Sequence, residues 1–367
     1  MPRSIMKIGF VLDDTLDSTD GVQQYVLTLG KWLKDQGHDV HYLVGATKRR
    51  DIPAVHSLSR NMSVRFNGNR MSMPLPVKKS EITALLSTEK FDVLHVQVPY
   101  SPLLAHRVIM AAPPQTAIVG TFHIAPNSAL VSSATRLLAT VSRPSLERFD
   151  TMFSVSKAAE EFAKRTHGIK TEILPNVVET SRFSSAEKFV EFADKPTIVF
   201  LGRLVPRKGC QILLEAVRDI VNNGARIPFR VVICGRGPLE QSLKSFVSSH
   251  RLETYVQFTG YVSEDDKPRY FASADLAVFP STGGESFGIV LLEAMAADAV
   301  VIGADNPGYH SVLAPSRESL CKVADAEDLA KKIQTLLEDT DARQRILKWQ
   351  SSHIRQFDVA VVGVQLG

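Results

Sequence analysis

Apolar residues follow two arrangements along this chain. Short, nearly unbroken apolar runs at residues 7–12, 40–44, 93–98, 117–121, 152–155 and 172–174 read as strands covered on both faces. Between the first two, Val22, Tyr25, Val26, Leu29, Trp32 and Leu33 recur at helical spacing, which predicts a helix over 21–33, closed by Gly37. The polar stretch 181–196 has no period and reads as a linker. The pattern then restarts. Strands are expected at 197–201, 229–234, 256–259, 276–279 and 299–302, and helices at 209–221, 239–248, 266–272, 287–297, 326–337 and 342–357. Alternating strands and helices of this kind predict an α/β chain with two doubly wound parallel-sheet domains, over 1–180 and 197–355. Residues 356–367 are a candidate crossover back to the first domain. Ligands of such folds sit at the carboxyl ends of the strands, here expected in a cleft between the domains.

Composition narrows the function. With 43 Lys and Arg against 39 Asp and Glu, the formal charge of +4 gives no case for nucleic-acid binding. Hydrophobic residues make up 44% of the 367, as in a globular protein. The cysteines Cys210, Cys234 and Cys321 are few and scattered, and no CxxC or His/Cys spacing suggests a metal site. They read as reduced thiols in a cytoplasmic protein. The N-terminal apolar run is too short for a secretory signal, and no run approaches the roughly 20 residues of a spanning helix.

Three segments carry candidate chemistry. Gly202-Arg203-Leu204-Val205-Pro206-Arg207-Lys208-Gly209 ends a strand and opens a helix, where free amides, Arg203 and Lys208 suit a diphosphate, with a solvated basic loop as the plain alternative. It is not a Walker loop. Gly235-Arg236-Gly237 follows another strand but lacks the third glycine of a dinucleotide fingerprint, which argues against a nicotinamide enzyme. The densest signal is Gly283-Gly284-Glu285-Ser286-Phe287-Gly288-Ile289, running into the apolar stretch that contains Glu293. Its amides face a helix start. Glu285 is placed to accept sugar hydroxyls. Glu293, a carboxylate in apolar surroundings, needs either a ribose diol or an ion-pair partner.

The Glu285-x7-Glu293 spacing, with Arg203 and Lys208 and a glycine-opened helix at Gly21, resembles the retaining glycosyltransferases of family 4. Within that family GGESFGIVLLEAMAA and FNGN are most similar to the phosphatidyl-myo-inositol mannosyltransferases. The resemblance runs over nearly the whole chain. It implies the GT-B fold of two Rossmann-like domains, the first for the acceptor and the second for the nucleotide sugar. By this resemblance Arg203 and Lys208 hold the diphosphate, Glu285 the donor sugar and Glu293 the ribose. His123, just after a strand of the first domain, faces the transferring carbon and the acceptor. Donor contacts are also implied at Gly21, Gly202, Gly235, Val262, Glu264, Gly284, Ser286, Phe287, Gly288 and Ile289. Of these, Glu264 could accept the two adjacent donors of guanine, which favours a GDP-sugar over a UDP-sugar; with mannose as the hexose the resemblance implies, the donor is GDP-mannose. A helix-start acid is its plain alternative.

Phe66, Asn67 and Asn69 resemble an inositol-recognising segment, though an Asn-Gly turn explains them as well. The inositol enzymes carry Thr after the His and a Lys soon after; Ile124 and Ser128 stand in those places, which removes a phosphate contact. Asp20 replaces a second glycine beside Gly21. The expected partners are thus a nucleotide sugar, a lipid or glycan acceptor and no nucleic acid. A peripheral contact with an anionic inner membrane face is open, through 48–50, Lys78, Lys79 and the apolar residues of 82–86. No cofactor is required, and Mg²⁺ on the diphosphate is compatible. An epimerase of the same fold and a non-catalytic sugar-nucleotide-binding module are the alternatives.

Overall fold

A computed structural model of the chain describes residues 5–18, 20–66, 69–123 and 142–366, with side chains outside 63–73. The chain divides into two compact units, one of residues 1–177 and 362–367, the other of residues 178–361.

The first unit is built on a seven-stranded sheet. In chain order its strands are β1 (Lys7–Val11), β2 (Asp39–Val44), β3 (Val55–Ser57), β6 (Val93–Gln97), β7 (Ala117–Phe122), β8 (Thr151–Ser154) and β9 (Glu172–Ile173). A separate antiparallel hairpin, β4 (Asn61–Phe66) and β5 (Asn69–Pro74), interrupts them. The spatial order β3-β2-β1-β6-β7-β8-β9 is parallel throughout, and its direction reverses between β1 and β6. Apolar runs explain this: Phe10, Val11, Leu43, Leu94 and Val96 are buried because helices cover both faces of a parallel sheet. The helix Gly21–Asp35 buries Tyr25, Val26, Leu29 and Leu33 against it, while Trp32 stays half-buried.

The second unit repeats the plan with six parallel strands: β10 (Thr197–Leu201), β11 (Arg230–Cys234), β12 (Val256–Gly260), β13 (Leu276–Phe279), β14 (Val300–Ala304) and β15 (Leu320–Cys321). Their order is β12-β11-β10-β13-β14-β15, so the reversal lies between β10 and β13. Ile198, Phe200, Val231, Ile233, Leu276, Val278 and Ile302 form its core with Leu213, Leu214 and Val217 of helix Cys210–Asn222.

Two expectations change. Residues 181–196 contain helix Thr180–Ser184 and the 3₁₀ turn Val190–Phe192, and they bury Phe183 and Phe192 within the second unit. Burial of these rings makes the stretch part of that unit rather than a free linker. The apolar residues of 82–86 were open to a contact with a membrane surface. Helix Lys79–Glu89 instead turns Ile82 and Leu86 into the first unit's core, where they are 0% and 2% exposed, with Leu85 packed alongside. Among the described residues, no helix is long and apolar enough to cross a membrane. All three cysteines are buried, and burial pushes the thiols of Cys234 and Cys321 up to about 12.

Candidate active site

In doubly wound sheets, ligands bind outside the carboxyl ends of the strands where the order reverses. In the second unit that place lies after β10 and β13. After β10 come Gly202, Arg203 and a 3₁₀ turn, Pro206–Lys208, and then Gly209 opens helix Cys210–Asn222. Gly209 has φ of 72°, and a Cβ there would lie 1.9 Å from the Pro280 carbonyl oxygen. Only glycine lets the two loops touch. They are also stitched together, because the Thr282 amide and the Ser281 hydroxyl each donate to the Arg207 carbonyl, both at 2.8 Å. The loop after β11 closes on the same spot: the Gly202 amide donates to the Cys234 carbonyl (2.9 Å) and the Leu204 amide to Arg236 (2.9 Å). A Cβ on Gly235 would meet the Gly202 carbonyl oxygen at 1.9 Å. The GxG segment is therefore a tight crossing of two loops.

The charges assemble around Glu285. Its Oε1 lies 2.8 Å from Lys208 Nζ and 2.8 Å from Arg207 Nη1, and it accepts from the Ser281 hydroxyl at 2.9 Å. Burial pushes this carboxyl up, but the neighbouring charges of Lys208 and Arg207 outweigh it and hold the group below its ordinary range. Two cations against one carboxylate leave the cluster positive, beside the glycines of 283–288 and the amides that lead into helix Ile289–Ala296. Gly288 enters that helix at φ of 102°, under the Tyr309 ring. The Phe287 ring is buried edge-on to Phe357 at 5.7 Å, which leaves its backbone as the part suited to a ligand.

Glu293 takes the ion-pair alternative. Its Oε1 accepts from Lys267 Nζ at 2.6 Å, and Lys267 also reaches Glu264 Oε2 at 2.7 Å. The Lys267 and Glu293 side chains are each 7% exposed. Burial alone would lower the ammonium's affinity for its proton. The carboxylates of Glu293 and Glu264 overcome that and raise it. The Arg182 guanidinium donates to the Glu264 carbonyl from the other side. Glu264 and Glu293, read from separate motifs, are thus held by one buried cation.

In the first unit His123 follows β7 and is buried. Its Nε2 lies 2.6 Å from Gln97 Oε1, at the end of β6, and the Tyr25 ring meets it edge-on at 5.0 Å. Gln97 Oε1 can only accept, so Nε2 carries the proton and Nδ1 keeps its lone pair. Burial, reinforced by neighbouring His95, pushes the imidazole down to about 3, so it is neutral at physiological pH. Gly21 opens its helix, with Asp20 extended before it. Asn67 and Gly68, and the residues Ile124 and Ser128 after the histidine, lie outside the described residues. Phe66 and Asn69 form the last backbone pair of the hairpin β4–β5, and their side chains also lie outside the description.

Arg207, Lys267, Ser281 and Gln97 were not singled out from the sequence. Arg207 could have been found as the cation between Pro206 and Lys208, and Lys267 by its spacing of three from Glu264 at a helix start.

Residues 19–182 match the family model Glycosyltransferase Family 4, and residues 181–349 match Glycosyl transferases group 1. A phosphatidyl-myo-inositol mannosyltransferase of Mycolicibacterium smegmatis is 32% identical over 98% of this chain and 92% of its own length. One from Mycobacterium tuberculosis is 30% identical over 98% of this chain and 95% of its own. Among solved structures, Anabaena Alr3699/HepE in complex with UDP and glucose superposes with a TM-score of 0.76 at 18% identity, over 98% of both chains. The paired parallel-sheet units are the GT-B fold of such enzymes, and the chain belongs to the glycosyltransferases of family 4.

Proposed function

We propose that this enzyme transfers mannose from GDP-mannose to an inositol-containing lipid, with retention at the anomeric carbon. The observation that carries the reading is the positive cluster of Arg207 and Lys208 around Glu285, set at the β10/β13 reversal beside a helix mouth. Departure of a nucleoside diphosphate builds negative charge on the leaving phosphate. Fixed cations and amides that face that charge supply preorganised stabilisation, usually the largest catalytic term. Arg203 and Lys208 are assigned to the diphosphate, with Gly202, Gly235 and the amides of Gly284, Ser286, Phe287, Gly288 and Ile289 around it. Glu285 takes the sugar hydroxyls, Glu293 the ribose, and Glu264 with Val262 the base. For Glu285 and Glu293 this means sharing ligand hydroxyls with the cations that already hold them.

The first unit takes the acceptor. His123, neutral and with its Nδ1 lone pair fixed by the Gln97 contact, positions the acceptor and eases positive charge on the anomeric carbon. Retention follows if the acceptor attacks from the side the phosphate leaves, with a phosphate oxygen taking the acceptor proton. No metal ligand is needed, and Mg²⁺ on the diphosphate is compatible. The lipid acceptor and the mannose are read from the two mannosyltransferase relatives, and the GDP donor from a third, a GDP-mannose-dependent alpha-(1-6)-phosphatidylinositol monomannoside mannosyltransferase of Mycobacterium tuberculosis that is 33% identical over 46% of this chain and 47% of its own length. A lipid acceptor places the enzyme at a membrane surface as a peripheral cytoplasmic protein.

The test is a screen of GDP- and UDP-sugars with lipid extracts, read by mass spectrometry of the products, alongside Arg203→Ala. Hydrogen bonds to charged groups contribute about 1.5–3 kcal/mol. Arg203→Ala should therefore lower kcat/KM by roughly 10- to 100-fold. Unchanged turnover in a correctly folded variant removes the diphosphate assignment, and a UDP-sugar preference removes the mannose donor.

A further inference from the structure

We propose that His41, His56 and Glu89 form a binding site for a zinc ion in the first unit, separate from the donor and acceptor groups. Strand pairing brings the two histidines together. β2 and β3 run parallel with Leu43 opposite His56, and His41, two residues before Leu43, lies on the same sheet face. Helix Lys79–Glu89 packs against that face through Ile82 and Leu86, and its last residue is Glu89. The result is three electron-pair donors from three elements. His41 Nδ1 lies 2.8 Å from His56 Nε2 and 3.9 Å from Glu89 Oε2, and all three ligand atoms fall within 4.8 Å of one another.

The surroundings fix which atoms are free to ligate. His41 Nε2 lies 3.0 Å from Asp39 Oδ1. A carboxylate only accepts, so Nε2 holds the ring proton and Nδ1 presents its lone pair to His56 and Glu89. A ligating histidine whose other nitrogen donates to a carboxylate is the usual outer support of a zinc site. The His41 ring is also held edge-on by Phe91 at 5.4 Å. Two nitrogens 2.8 Å apart must otherwise share a proton. A tetrahedral ion with metal–nitrogen bonds of about 2.0–2.1 Å holds its nitrogens roughly 3.3 Å apart. The pair must therefore open by about half an ångström while the His56 proton moves to the ring's other nitrogen. His56 stands on the short strand β3, half-buried, where such a shift meets little packing.

Lys7 is the group that opposes the ion. Its Nζ lies 2.9 Å from Glu89 Oε2 and 3.2 Å from Asp39 Oδ2. Glu89 has a second oxygen to offer, so the ammonium can keep Asp39 while the ion takes Glu89. Two nitrogens and a carboxylate oxygen are the donor set of many zinc centres, and water completes a fourth position. Bound there, zinc would clip the edge strand β3 to its neighbour and to the helix that covers them.

The test uses the full-length chelator-treated chain titrated with Zn²⁺ alone, followed by calorimetry, thermal unfolding and imidazole nitrogen NMR. The expected result is one ion per chain, a Tm several degrees higher at tenfold excess, and metal-dependent shifts at the His41 and His56 ring nitrogens. His56→Ala and Glu89→Gln should each weaken binding at least tenfold. Glu89→Gln keeps shape and partial exposure, so it stays informative should His56→Ala unfold. No uptake by the parent chain, or uptake unchanged in Glu89→Gln with the histidine signals unmoved, overturns the proposal.

Discussion

Lys267→Met tests the electrostatic logic of the second unit most directly. The Lys267 side chain is 7% exposed and stands between the carboxylates of Glu293, at 2.6 Å, and Glu264, at 2.7 Å. Methionine fills most of the same volume, so the change removes charge more than packing. Breaking a buried ion pair by deleting one partner destabilises by about 3–5 kcal/mol, because the remaining charge is left in poor solvent. Glu293, 7% exposed, is that charge. The raised affinity of Lys267 for its proton means its contribution is fully present below the ordinary lysine range and is lost only as pH rises through the higher folded value. At pH 7.5 the whole contribution is at stake. Urea denaturation should therefore show a loss of about 3–5 kcal/mol at pH 7.5. The double variant Lys267→Met, Glu293→Gln should recover about 1–2 kcal/mol of the loss, since no unpaired carboxylate then remains at 293. A single variant within about 1 kcal/mol of the parent at pH 7.5 would mean that water reaches these carboxylates and that the buried bridge does not exist.

Two further outcomes follow from residues already described. His95 and His123 are both held down to about 3, chiefly by burial, so the folded chain binds fewer protons than the unfolded chain between about pH 3 and 6.5. Stability should fall as pH drops through that window, by about 2 kcal/mol per histidine at pH 5. His123→Gln should flatten the slope of an unfolding series from pH 7.5 to 5, and an unchanged slope refutes the neutral, buried assignment. Gly209→Ala forces a Cβ to within 1.9 Å of the Pro280 carbonyl oxygen at a φ of 72°. It should destabilise by about 2 kcal/mol or more and weaken donor binding, read by urea melts and calorimetry, because the turn carrying Lys208 must move.

The sheets were legible because a strand buried on both faces has to be apolar along its interior: β13 is apolar throughout, and β1, β10 and β11 are after their first residues, Lys7, Thr197 and Arg230. What escaped lacks that signature. β3 has three residues and two polar ones, and β4 and β5 form a hairpin outside the main sheet. In the site, the glycines and acids of 283–293 stood out because an acid inside an apolar run demands a partner. The partner itself did not. Lys267 lies on a short helix with ordinary composition, and its burial comes from how Lys267–Ala272 packs against Ile289–Ala296, which no local pattern encodes. The same holds for Gln97, whose role depends on the register that sets it beside Thr121, two residues before His123.

The second unit occupies one unbroken stretch, 178–361, whereas the first is completed by residues 362–367. Val362 is fully buried there, and Gly363 fits against the Trp32 ring so closely that a Cβ would lie 2.5 Å from it. During synthesis, then, the portion made first is the last to be finished. Its closing piece leaves the ribosome only after every residue of the later portion has emerged. A nascent chain has to keep the open face around Trp32 from aggregating for that whole interval, and the order of completion inverts the order of translation.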